Sequence, residues 1–284
     1  MDNEHNPEPI ELPASEAYCG SGVTAIGNFQ SFAFNHLFSA NHFTELSRKC
    51  EYKFQNEKDS GMSTSELCKK YFYHHRSYVI SSIISAIAYW EASINEIFAE
   101  TGEMNSGFFI NQLDPQVKND LAKFWKIRTH NEEGELEFDL GFFSKLDTFQ
   151  KYDLALYIAH KNPLDKSRSP YQDVRIVYKI RKELVHSKPE LTWIDLLGRS
   201  KGKIISKAMK SIQSLGDNSR FAENPLVFGT KPFFPDRCLG HGCAKWALDS
   251  CVSFVEEFYS EMGLSPKDTS YILDRADDFS QFRQ

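Results

Sequence analysis

The sequence is short of several things, and each shortage removes a class of function. It has no run of about 18 apolar residues, so no membrane-spanning helix is expected. The start, MDNEHNPEPIELPASE, has neither a basic segment nor an apolar stretch, so it does not read as a secretory signal. Positive charge is scarce: the net charge is −6 and the isoelectric point about 5.9. That excludes the broad basic face of a duplex-binding protein. It leaves room for RNA as a transient substrate, because a local patch can oppose the total. A phosphate-cradling loop is also missing, since GSGVTAIG at 20–27 has no Lys-Ser/Thr ending and no clear strand before it. The six cysteines (Cys19, Cys50, Cys68, Cys238, Cys243 and Cys251) are scattered through 284 residues, which reads as reduced thiols in a cytoplasmic protein. Cys238, His241 and Cys243 lie close together, but C-x2-H-x-C is not a structural zinc spacing and no second close pair is evident. Cys243 and Cys251 fall on one helical face, as core thiols would. No metal or cofactor is implied.

What the chain does have is apolar bulk. Aromatic residues make up 14 % of it, with 23 Phe, ample for a packed core. The fold expected is all-α. Residues 1–16 read as a disordered tail, acidic and short of large apolar groups. Residues 17–62 read as an N-terminal extension packed on a bundle, with one helical stretch, FTELSRKCEYKFQNE. Residues 63–263 form the helical domain, and 264–284 a charged tail. The strongest helix runs from Ser63 to Glu100, capped by Ser63–Thr64–Ser65 and stopped at Thr-Gly. VKNDLAKFWKIR and FFSKLDTFQKYDLALYIAH read as shorter helices, with a charged loop between them that leaves room for a short strand. Tyr171 to His186 is a helix stopped by Pro189, SKAMKSIQSL another, and about Gly240 to Met262 the last. His74-His75-Arg76 reads as a surface patch on the long helix.

Two charges break the helical pattern. At about 100° per residue, Ile176, Val177, Ile180, Leu184 and Val185 share one broad arc with Val174, and Arg181 falls inside it. On the long helix, Glu91 falls between Phe98 and Ile84 in an arc that also holds Ile83, Ile87, Trp90 and Ile94. A lone buried charge costs several kcal/mol, so Glu91 is expected to contact Arg181 or lie near it through a hydrogen-bonded neighbour. Arg181 also has a plainer reading, in which its stem covers apolar surface while its head reaches water. His186 alone is explained by the favourable field of a helix C-terminus. The two side chains leave an ideal helix about 140° apart. They converge only if the helix end unwinds or a symmetric dimer brings two copies together.

Arg181-Lys-Glu-Leu-Val-His186 fits the R-x4-6-H motif of HEPN domains, and the chain resembles that family around it. YQDVRIVYKIRKELVHSKPE resembles the motif helix, AIAYWEASINEIFAE the first core helix with Glu91 embedded, and CAKWALDSCVSFVEEFY the last. Together these segments span roughly 75–262, about two thirds of the chain. The resemblance implies an all-α HEPN-like bundle, commonly a homodimer. It implies a metal-independent endoribonuclease of toxin–antitoxin or other bacterial defence systems, with Arg181 and His186 as catalytic residues facing a shared cleft. Glu91 and Lys182 are supporting residues. Arg199, Lys201, Lys203, Lys207 and Lys210 are the local RNA-facing candidates, or else a solvated face. Lys182 departs from the family, which usually has a small polar residue, often Asn, after the arginine. The alternative is a non-catalytic HEPN-like module that binds nucleotide, RNA or a protein partner such as an antitoxin.

Overall fold

A computed structural model of the protein describes residues 16–18, 24–26, 32–104, 107–125, 127–130, 136–139, 141–186, 212, 215, 220–227, 231 and 233–265. The architecture is all-α, with helices carrying the core. Two short antiparallel hairpins accompany them. One pairs β1 (Glu16–Tyr18) with β2 (Thr24–Ile26), Ala17 opposite Ala25. The other pairs β3 (Ile127–His130) with β4 (Leu136–Asp139), Arg128 opposite Phe138. Among the described residues no helix is long and apolar enough to cross a membrane.

Helix α1 (Phe32–Asp59) and helix α2 (Thr64–Glu103) form a long antiparallel hairpin. Gly61, at φ 94°, makes the turn, in a left-handed conformation that costs glycine little. Ser63 then caps α2, its Oγ accepting from the Glu66 N–H at 3.3 Å. The pairing is held by polar contacts along its length. Thr44 Oγ1 and Ser82 Oγ are 2.7 Å apart. At the far end the buried Glu96 carboxylate accepts from the Ala33 N–H at 2.8 Å, supplying a partner to an otherwise orphaned amide at the start of α1. Sequence reasoning expected a helix only from Phe43 onward. The preceding stretch lacks a clean period because Ala33, Leu37 and Ala40 are buried between bulky neighbours.

After α2 the chain reverses around another buried carboxylate. Glu100 Oε2 accepts from the N–H groups of Phe109 (2.8 Å) and Ile110 (3.4 Å). A side chain at Gly107 would put its Cβ 2.7 Å from that oxygen. Helix α3 (Pro115–Trp125) ends at its tryptophan, and the residues expected to prolong it lead into the β3–β4 hairpin instead. Helices α4 (Gly141–Lys145) and α5 (Thr148–Ile158) are separate because Asp147 starts a new helix. Its carboxylate accepts from the Gln150 N–H while the Gln150 amide oxygen accepts from the Asp147 N–H, both at 2.9 Å. Helix α6 (Tyr171–Val185) and helix α7 (His241–Met262) complete the bundle, α7 ending at Gly263 with φ 72°. The expected helix SKAMKSIQSL lies outside the described residues except for Ile212 and Leu215, both buried.

The core is centred on Trp90. Its ring lies 4.6 Å from Phe149, 5.7 Å from Tyr152, 6.3 Å from Tyr178 and 5.8 Å from Phe254, between ring centroids. Four helices meet there: α2, α5, α6 and α7. The Tyr152 hydroxyl donates to the Trp90 carbonyl at 2.8 Å, which gives a fully buried phenol its partner.

A polar knot ties α1, α2 and α7 together. Glu51 Oε1 lies 2.8 Å from His75 Nε2 and accepts from the His241 N–H at 2.7 Å. His75 is therefore buried, against the expectation of a surface patch at His74-His75-Arg76; of the two adjacent histidines only His74 faces out. The His241 ring turns to the Thr44 carbonyl (3.2 Å) and the Ser47 hydroxyl (3.3 Å). Cys238, Cys243 and Cys251 are fully buried, the first two with sulfurs 3.7 Å apart.

Two substitutions check this account. Trp90→Ala is expected to destabilise by about 3–5 kcal/mol in denaturant titrations, since it empties the meeting point of four helices. His160 closes α5 at φ 53°, donating its N–H to the Tyr157 carbonyl at 3.1 Å. His160→Gly is expected to stabilise by about 0.5–1 kcal/mol. Relief of the left-handed strain outweighs the greater unfolded-state freedom of glycine.

Candidate functional site

Helix α6 presents Arg181 to the bundle because Val174, Val177 and Ile180 are buried on the same side. Its start is fixed by Asp173, which accepts from the Ser169 hydroxyl at 2.6 Å and pairs with the Arg220 guanidinium. Asp173 sits in the apolar arc of the helical wheel and is buried. The same wheel that singled out Arg181 thus held a second charge, whose role is to anchor the helix.

Arg181 and Glu91 are both half-buried and within electrostatic range of each other. Among the described residues no direct hydrogen bond or ion pair joins them. Of the two arrangements expected, contact or nearness through a hydrogen-bonded neighbour, direct contact is not made. Burial raises the Glu91 carboxyl above its ordinary range. Arg181, then Lys151, then His36 pull it back part of the way. These three groups come from three different helices: α6, α5 and α1. Lys151 is placed with care. Its Nζ donates to Asn95 Oδ1 at 3.0 Å and lies 4.4 Å from the centroid of the Phe143 ring. Asn95 is one turn beyond Glu91 on α2, so the amide and the carboxylate share a face. Burial pushes the Lys151 amine below its ordinary range, and Glu91 opposes that shift.

The motif's other residue lies elsewhere. Helix α6 stays regular through Val185, and His186 closes it with its N–H donating to the Lys182 carbonyl at 2.9 Å. The His186 and Lys182 side chains are exposed, as is Val185 at 46 %. No unwinding turns His186 toward Arg181 within this chain. Lys201, Lys203 and Lys207, with Arg199 and Lys210, lie outside the described residues.

Sequence reasoning did not find Lys151 or His36. The signal was there: on the wheel Lys151 falls between Ile158 and Ala155, and His36 between Phe43 and Ala40, each inside the apolar arc of its helix, just as Arg181 does. Chemically, the arrangement is a partly open cationic cluster around one poorly solvated carboxylate. Such a cluster suits an anion. Comparison of the chain with protein-family models, with curated proteins and with solved structures gave no match.

The Glu91 shift has a consequence for stability. A carboxyl whose folded pKa is raised favours the folded state fully below its ordinary value of 4.5, and that favour is lost as pH rises through the folded value. Glu91→Gln removes the burden of the buried charge. The variant is expected to melt higher than the wild type at pH 7, with the difference narrowing as pH falls toward 4.5. A lower melting temperature at pH 7 would mean that the fold needs the Glu91 charge to hold its cations.

Proposed function

We propose that the protein is a HEPN-like endoribonuclease of bacterial defence or stress that acts as a homodimer. The observation that supports this reading best is the half-buried Arg181 held beside Glu91 without being consumed by a closed ion pair. A guanidinium in that state keeps its donors for a phosphate. In this reading Arg181 grips the scissile phosphate and offsets charge that builds on its oxygens in the transition state. His186 serves as acid or base. The substrate's 2′-hydroxyl loses its proton and attacks phosphorus. The bond to the 5′-oxygen breaks and that oxygen takes a proton, leaving a 2′,3′-cyclic phosphate and a 5′-hydroxyl. No metal enters these steps.

A dimer is part of the reading because Arg181 and His186 diverge within one chain. The exposed His186 and Val185 at the end of α6 would lie at the two-fold, each active centre taking Arg181 from one copy and His186 from the other. Lys182, exposed on the same helix, would contact a flanking phosphate.

The divergence also favours a second reading, a non-catalytic HEPN-like module that binds RNA, nucleotide or a protein partner such as an antitoxin. Lys182 supports it too, since an ammonium cannot make the amide hydrogen bonds of the residue usual at that position. Cleavage of varied RNAs in EDTA separates the two. The wild type is expected to yield cyclic-phosphate ends, and Arg181→Ala and His186→Ala, both folded, to lose roughly 10²-fold or more in rate. Mixing the two variants is expected to restore part of the activity if one copy supplies each residue. Absence of cleavage by all three proteins would leave the binding module.

A further inference from the structure

Among the described residues one pair of sulfurs is in contact: Cys238 and Cys243, 3.7 Å apart and both fully buried. The other described thiols turn elsewhere. Cys50 faces the Tyr71 carbonyl at 4.0 Å and Cys68 the Leu226 carbonyl at 3.9 Å, while Cys251 lies in the apolar core. A disulfide holds its sulfurs about 2.05 Å apart, so Cys238 and Cys243 need little further approach to bond.

The pair bridges two pieces of backbone. Cys238 follows the turn Phe233–Arg237, its N–H donating to the Phe233 carbonyl at 2.6 Å, and Cys243 stands in the first turn of α7. The chain at 222–224 lies against both pieces. A Cβ at Gly240 would come 2.8 Å from the Asn224 backbone, and one at Gly242 2.7 Å from the Ala222 carbonyl oxygen, so the two glycines permit the approach. Asn224 ties the turn down. Its N–H donates to the Arg237 carbonyl at 2.8 Å, and its side-chain amide to the carbonyls of Leu239 (2.9 Å) and Asp236 (3.3 Å). At the surface Arg237 pairs with Glu223, and Arg76 with Asp236 at 3.5 Å. The turn also buries Phe234 and Leu239, so openings that expose Cys238 are rare. While it is closed the pair is inert, because thiolate is the reactive form. The Cys238 contact first, and burial second, hold the Cys243 thiol well above its ordinary value.

We propose that Cys238 and Cys243 are a reversible disulfide site, closed by hydrogen peroxide, that fastens the turn at Phe233–Arg237 to the start of α7. The proposal is independent of any action on RNA. When the turn opens, Cys238 loses its proton to water and its sulfur attacks one peroxide oxygen. The S–O bond forms, the O–O bond breaks, and the departing hydroxide becomes water. Reclosing returns the sulfenic acid to its place beside Cys243. The Cys243 sulfur gives up its proton and attacks the Cys238 sulfur. The S–S bond forms, the S–O bond breaks, and a second water leaves. Two thiols lose two electrons, and one peroxide is reduced to two waters. At rest both thiols are reduced, and the rarity of opening makes the response slow.

The test uses the full chain, reduced, exposed to hydrogen peroxide, then alkylated with iodoacetamide in denaturant and cut with trypsin. Cleavage after Arg237 and Lys245 puts both cysteines, and no other, in the peptide 238–245. After peroxide that peptide is expected to be lighter by two hydrogens and free of alkyl groups, and dithiothreitol to restore both thiols. Amide protons of Cys238 and Gly240 are expected to exchange more slowly in the oxidised protein. Two variants test the gate, with melting curves showing that each is folded. Asn224→Ala is expected to speed disulfide formation roughly tenfold or more. Arg237→Gln, which loses only a surface ion pair, is expected to speed it by up to roughly fivefold. A doubly alkylated peptide, under peroxide that oxidises the thiols of the unfolded chain, overturns the site. So does Cys238 oxidised past sulfenic acid while Cys243 remains alkylated. Unchanged amide exchange overturns the fastening role, and wild-type rates in both folded variants overturn the gate.

Discussion

The burial of Trp90 is the constraint on which the other packing depends. An indole fully excluded from water at the middle of a 40-residue helix demands apolar surface on several sides at once. Phe149 and Tyr152 from α5, Tyr178 from α6 and Phe254 from α7 supply it. Once those rings are in place, the positions of three helices around α2 are settled. Glu91 follows Trp90 in the chain and leaves α2 about 100° further round. Whatever holds the indole therefore also holds the carboxylate, and α5 and α6 bring Lys151 and Arg181 to it as they close on the core.

The carboxylates of this protein divide into two kinds. Glu96, Glu100 and Asp173 are buried and bonded. The first caps the start of α1, the second gathers the N–H groups of the turn after α2, and the third fastens the start of α6 to Arg220. Each replaces lost hydration with definite donors. Glu91 is less buried, yet burial is what dominates its titration, because the cations near it stop short of contact. Glu96, Glu100 and Asp173 are satisfied, and the charge in the candidate site is left partly unsatisfied. That contrast, rather than the motif, is what marks the site physically.

Much of the fold could be read from the sequence, because α2, α6 and α7 have strong periods and clear ends. Ser63 begins α2, and Gly263 ends α7 in the left-handed conformation its position suggests. The full length of α1 could not be read, because its first turns bury small residues and present aromatics on several sides. The first strand of the hairpin after Trp125 was equally hidden, since Ile127 was read as a continuation of α3, while the second, β4, falls in the charged stretch where a short strand had been allowed for. At the site, the nearness of Glu91 and Arg181 was legible because both broke a helical pattern. His75 was misread because a histidine beside another histidine looks solvated, and nothing local announces Glu51 of the neighbouring helix. Lys151 and His36 also broke the apolar pattern of their helices, a signal that was passed over because α5 and the start of α1 were not read residue by residue. Which partner each would meet was set by long-range packing, which no single helix encodes.

The Glu51 knot has a consequence for how such a chain can diverge. One carboxylate oxygen serves the imidazole of α2 and the first amide of α7, so three segments far apart in sequence share a single acceptor. Replacing Glu51 alone strands a buried ring nitrogen and a helix start together. Replacing His75 alone leaves a carboxylate facing a hole of imidazole shape. Positions 51 and 75 are therefore expected to drift as a pair across descendants of this sequence, while the solvent-facing position 74 between helix turns drifts freely.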